Sequence, residues 1–170
     1  VLQCIDRGDR HALTAAIRAC EARGRVGDPG LSARLIGSWP RWCAAVQPFA
    51  ADPREQLAVP AVWMLGHAAS DPAAAAVLGA LSHPLATVRA AADDALDVLV
   101  THAPSLALRH AAAFSVAQHR AVLRALASTS APLEDGALAA LARAADDPLV
   151  GVDALAALAA HAPAADLERG

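Results

Sequence analysis

The sequence predicts an all-α protein, and three patterns support that fold class. Apolar residues recur at spacings of three and four along most of the chain, as they do on one face of an α-helix. No segment alternates with a period of two and β-branched residues are scattered, so no strand is predicted. Helix starts led by proline recur at Pro53, Pro84 and Pro148, which places them 31 residues apart and then about twice that interval. Two-helix repeats of this length are typical of an α-α superhelix, and we expect a solenoid of about four helix pairs.

The clearest repeat unit runs from Ser82 to Pro104. Its helix is predicted to start at His83-Pro84, because proline suits the first turn of a helix, and to stop before Pro104. A single apolar stripe follows the helical period along this segment. The stripe consists of Leu85, Val88, Ala92, Ala95, Leu96 and Leu99.

We expect a single domain in which residues 1–50 form a helical segment packed on repeats spanning residues 51–170. Gly24 is predicted to stop one of the first helices and Pro40 to break or restart another. Trp39 and Trp42 are predicted to be core of this N-terminal end. In chain order, helices are expected over about residues 10–23, 31–38, 41–46, 54–69, 72–81, 84–103, 105–116, 119–127, 134–145 and 149–162.

Composition argues against several kinds of chemistry. Alanine accounts for 48 of the 170 residues, which favours helices that pack closely. All 14 basic residues are arginine, a bias that suggests a bacterial genome rich in GC. Without lysine there is no Schiff-base or P-loop lysine, and neither a glycine-rich phosphate loop nor a zinc-type His-Glu-x-x-His pattern occurs. We therefore predict a protein that is not an enzyme, with no cofactor and no metal.

The net charge of −3 argues against binding to nucleic acid through bulk charge. That charge is distributed in bands along the chain. Residues 1–41 sum to +3, residues 42–100 to −4, residues 101–130 to +3 and residues 131–170 to −5. In a linear stack of repeats these bands would appear as alternating basic and acidic surfaces.

Cys4, Cys20 and Cys43 form no C-x-x-C pair and are odd in number. They are predicted to be buried free thiols in a reducing compartment, not a disulfide framework. No run of about 18 apolar residues predicts a membrane span. The expected location is the cytoplasm, without membrane contact.

Three segments resemble second helices of HEAT repeats, in the short bacterial form also found in phycobilin lyases. They read ADPREQLAVPAVWMLGHA, SHPLATVRAAADDALDVL and DDPLVGVDALAALAAHA, and the resemblance covers roughly residues 51–162. The family pattern is Asp-Pro, then Val-Arg one turn later, a run of small residues, and Leu-Gly. Val88-Arg89 and the alanines after it match best, and Leu65-Gly66 matches the end of the pattern. The arginine position reads Ala58 and Asp153 in the other two segments, so the arginine ladder of the family is incomplete here.

The resemblance implies that the helices starting at Pro53, at Pro84, near His119 and at Pro148 line a concave wall. The predicted function is a non-enzymatic scaffold that binds another protein or peptide, preferably a basic one, through charged residues on that wall. An exposed Trp63 would act as an interface anchor. The candidate partner-binding residues are Arg54, Trp63, Asp93, Asp94, Asp97, Arg120 and Arg124.

Other interpretations stay open at this point. The charged wall could be a solvated face that keeps the stack soluble, and Trp63 could fill space beneath a kink at Pro60. The chain could be an accessory or lyase-like protein that binds a small ligand in the groove, or a structural repeat segment of a longer protein. A deep apolar pocket with converging polar groups would favour the small ligand, and a shallow charged groove would favour the protein partner.

The last predicted helix is apolar on more than one side, whereas a terminal repeat normally needs a polar outer face. Leu149, Val152, Leu155 and Leu158 contribute to this apolar character. The hypothesis is that further repeats continue past Gly170, or that a partner or second copy covers this end. Light scattering tests it, and a strictly monomeric, highly soluble chain would argue against it.

Overall fold

A computed structural model describes residues 1–7, 9–28 and 30–161 of the chain. Within these residues the chain is all-helical and contains no strand, as predicted. A short 3₁₀ turn, Gln47–Phe49, follows α3. The α-helices are α1 (Leu2–Asp6), α2 (Arg10–Arg25), α3 (Leu31–Val46), α4 (Glu55–Leu65), α5 (Asp71–Ala80), α6 (Ala86–His102), α7 (Pro104–Ala111), α8 (Val116–Ser128), α9 (Asp135–Ala145) and α10 (Gly151–His161).

The chain divides into two compact units, residues 1–99 and the residues from 100 onward. In the first unit α2 packs on α4. The first turns of both helices line one groove, and Gly24 near the end of α2 contacts Trp63 near the end of α4. The two helices therefore lie side by side and run in the same direction. Gly66 contacts the backbone of Ala95, which places α6 against the C-terminal end of α4.

The structure corrects the prediction that Gly24 stops the second helix, because α2 continues to Arg25. Gly24 is required for packing instead. A Cβ atom built on it would lie 2.1 Å from Cζ2 of Trp63, far inside van der Waals contact. Only a residue without a side chain lets the indole lie directly on the α2 backbone at this point.

The break predicted at Pro40 is also wrong, because α3 runs without interruption from Leu31 to Val46. The indole nitrogen of Trp42 donates a hydrogen bond to the carbonyl of Leu35 at 3.3 Å and so spans the turn that contains Pro40. Trp42 is buried, as predicted, whereas Trp39 is only partly buried. A continuous buried face outweighs the single backbone hydrogen bond that proline removes.

The apolar stripe of the repeat unit agrees with the sequence, but α6 begins at Ala86, two residues after the start predicted at Pro84. Leu85 is only partly buried, and the rest of the predicted stripe is in the core: Val88, Ala92, Ala95, Leu96 and Leu99. The preceding helix, α5, begins as predicted, with the Ser70 hydroxyl accepting a hydrogen bond from the Ala73 amide and proline in its first turn.

In the second unit α7 packs on α8 and α9, and α8 and α9 both pack on α10. The helix predicted over 105–116 ends early, at Ala111, and α8 begins at Val116. Ser115 and Gln118 form a reciprocal capping box at this start. Because these two polar residues satisfy the backbone of a new helix, Val116 belongs to the start of α8 and not to the end of α7.

Candidate functional site

Trp63 lies at the contact between α4 and α2 in the first unit. Its indole lies on Gly24 of α2, and its ring centroid is 4.6 Å from that of His67. The side chain is partly exposed. Trp63 thus packs within the chain and still presents part of its surface to solvent.

The predicted acidic residues lie on α6, whose Ala95 contacts Gly66, three residues after Trp63. Asp93, Asp94 and Asp97 are exposed on α6. Partial burial raises the pKa of Asp97, and the negative charges of Asp94 and Asp93 raise it further. The three carboxylates therefore repel one another across successive turns of one helix.

Arg25, at the end of α2, faces the same region. Its hydrogen bond to Glu21 raises its pKa, and attraction to Asp94 contributes in the same direction. The structure thus places Arg25, which sequence reasoning did not select, near Asp94 of the acidic cluster.

Arg54 lies at the opposite end of α4, roughly 13 Å from Trp63 along the helix axis. It precedes the first turn, and Asp52 accepts hydrogen bonds from its Nε and Nη2 at 2.9 Å each. These hydrogen bonds, together with one from the Arg54 backbone amide, lower the pKa of Asp52 to about 2. Nη1 of the guanidinium takes no part in these hydrogen bonds, and the Arg54 side chain lines the groove between α2 and α4.

Arg120 and Arg124 belong to the second unit. Arg120 donates to the carbonyl of Leu149, at 3.0 Å from Nε and 2.7 Å from Nη2, and forms an ion pair with Asp153 at 3.2 Å. Arg124 donates to the carbonyl of Arg120 at 3.2 Å. Arg120 thereby ties α8 to the start of α10, while Arg124 stays on the surface of α8.

The apolar face predicted on the last helix is exposed among the described residues. Val152 keeps 83% of its accessible surface, and Leu149 and Leu155 keep 56% each. Leu158 is partly buried.

Sequence reasoning missed the groove between α2 and α4. Arg10, His11 and Arg18 line it together with Arg54, from a helix more than thirty residues away in the sequence. The only sequence signal was the excess positive charge of residues 1–41. Nothing in the spacing indicated that it would meet the start of α4.

Comparisons with protein families, with curated proteins and with solved structures found no match to this chain. In the described part of the chain, no group of three or more His, Cys, Asp or Glu side chains is placed to hold a metal ion. None of the helices described is both long and apolar enough to cross a membrane.

Proposed function

We propose that this chain is a HEAT-like helical solenoid that serves as a non-enzymatic scaffold in the bacterial cytoplasm and binds a basic segment of another protein. The observation that carries the proposal is that α2 packs on α4 while α6 contacts the C-terminal end of α4. Helices taken from successive pairs and placed side by side are the building principle of repeat proteins, which bind partners along such walls.

The chemistry of this wall supports a basic partner. Asp93, Asp94 and Asp97 concentrate negative charge on one exposed helix face, and a cationic segment would relieve their mutual repulsion. The exposed part of Trp63 offers an aromatic surface on α4, on which an arginine side chain can stack. Arg25 at the edge of the wall would favour one orientation of the incoming chain.

Selection of displayed peptides against the whole chain at physiological salt tests this proposal. We expect peptides enriched in arginine and lysine that bind the natural chain but not the D93N/D94N/D97N variant. The matched control is E134Q/D135N/D146N, which removes the same number of charges from exposed positions around α9. Selected peptides without basic enrichment, or peptides that bind both variants equally, would show that the proposal is wrong.

A further inference from the structure

The groove between α2 and α4 contains a cavity of about 690 Å³, with three arginines among its walls. Arg10 and Arg18 come from α2 and Arg54 from the start of α4, and His11 and Gln56 add further polar groups. None of the described residues lining this cavity is acidic. A cavity of this size is within the range that holds metabolite-sized ligands.

The three arginine side chains differ in the contacts that they make. The guanidinium of Arg10 lies over the ring of Phe49, 5.4 Å from its centroid, so its face is covered while its N–H edge remains available. Arg54 donates hydrogen bonds to Asp52 from Nε and Nη2, which leaves Nη1 available to a ligand. Within the described residues, no hydrogen bond or ion pair engages the side chain of Arg18. Asp52 offsets one of the three positive charges, and the site keeps an excess of cations.

The start of α4 contributes both signs of charge, because Glu55 lies in its first turn directly after Arg54. No side chain caps the N-terminus of α4 among the described residues, and Gln56 in its first turn lines the cavity. Amide groups at a helix N-terminus favour anions. Arginine is the residue best suited to planar, two-pronged hydrogen bonding to phosphate or carboxylate.

A second cavity, of about 540 Å³, continues the groove along the same two helices and shares Arg18 and Gln56 with the first. Its walls are mostly small and apolar, and they also carry Glu21 and Glu55. Glu21, one turn further along α2 than Arg18, would repel negative charge in this part of the groove. The anionic groups of a ligand would therefore be confined to the arginine end.

We propose that the arginine end of this groove binds a small organic polyanion, a molecule with two or more phosphate or carboxylate groups and an uncharged body lying toward Val59 and Pro60. The site is separate from the three aspartates of α6, and the inference does not depend on the proposed protein partner.

Calorimetric titration of the whole chain at low salt with pyrophosphate, and separately with citrate, tests the proposal. We expect saturable binding at one site that weakens about tenfold or more in R18Q and is lost in the double variant R10Q/R18Q. The control R143Q removes one exposed arginine from α9 and should bind like the natural chain. The D93N/D94N/D97N variant should also bind normally, which separates this site from the proposed function.

The two titrations also identify the chemistry of the anionic groups. Binding of pyrophosphate alone would indicate a phosphorylated ligand, binding of citrate alone a polycarboxylate, and binding of both a site that selects by charge. If neither anion binds saturably, or if R143Q weakens binding as much as R18Q does, the proposed site does not exist.

Discussion

Single glycines decide how closely the helices of the first unit approach one another. A Cβ atom on Gly66 would lie 2.5 Å from the carbonyl oxygen and 2.8 Å from the Cα of Ala95. These are backbone atoms, so the neighbouring helix would have to move as a whole. By contrast, a Cβ on Gly37, inside α3, would meet nothing within 4 Å.

We predict that Gly66→Ala destabilises the protein by about 1 to 3 kcal/mol, the usual cost of overpacking a tight contact. Its backbone is already helical (φ −55°), so the effect is steric and not conformational. Urea unfolding measures the change. Gly37→Ala is the matched control and should stabilise by about 0.5 to 1 kcal/mol, because alanine is the better residue in an open helix position. Equal effects of the two substitutions would contradict the close approach of α4 and α6.

At the scale of the element, α6 has two faces of opposite chemical character. One face is an apolar stripe buried in the core, and the other holds the three aspartates. Asp93 and Asp97 lie four residues apart, where like charges cost about 0.2 to 0.5 kcal/mol in a helix. Partial burial raises the pKa of Asp97, and repulsion from Asp94 and Asp93 raises it further.

We predict that Asp97→Asn raises the melting temperature slightly at pH 7. Folding raises the pKa of Asp97 above its ordinary 3.8, so the charged form destabilises the folded protein at pH values above the folded pKa. The gain from the substitution should shrink as the pH falls through the folded pKa and should vanish below 3.8, where the carboxyl group is protonated in both states. Thermal unfolding across this pH range measures it. Added salt should reduce the difference in melting temperature between the variant and the natural chain at pH 7, because it screens the charges of Asp93 and Asp94. A difference that grows toward acid pH would contradict this account.

The elements themselves were largely predictable because their signals are local. Ser70 and the proline after it mark the start of α5, and the stripe of α6 appears at its expected period. The errors arose where a distant part of the chain determines the outcome. Glycine commonly ends a helix, but Gly24 instead allows close contact with Trp63, 39 positions later. Pro40 is accommodated within α3, where a hydrogen bond from Trp42 to Leu35 spans its turn.

At the scale of the whole molecule, the candidate residues divide between the two units. Arg54, Trp63 and the three aspartates belong to the first, and Arg120 and Arg124 to the second. The arginine groove was beyond sequence reasoning, because it depends on α2 and α4 lying parallel with their first turns together. No spacing along the chain encodes that juxtaposition.

The indole resting on Gly24 gives this chain an intrinsic optical reporter. Trp63 packs on α2 at one end of the α2–α4 groove, and the arginines lie at the other end. A ligand that separates the two helices would therefore expose more of the indole ring to water. Its emission should then shift to longer wavelength, against the background of the buried Trp42 and the partly buried Trp39. Occupancy of the groove could thus be followed by fluorescence on the natural chain, with no dye attached.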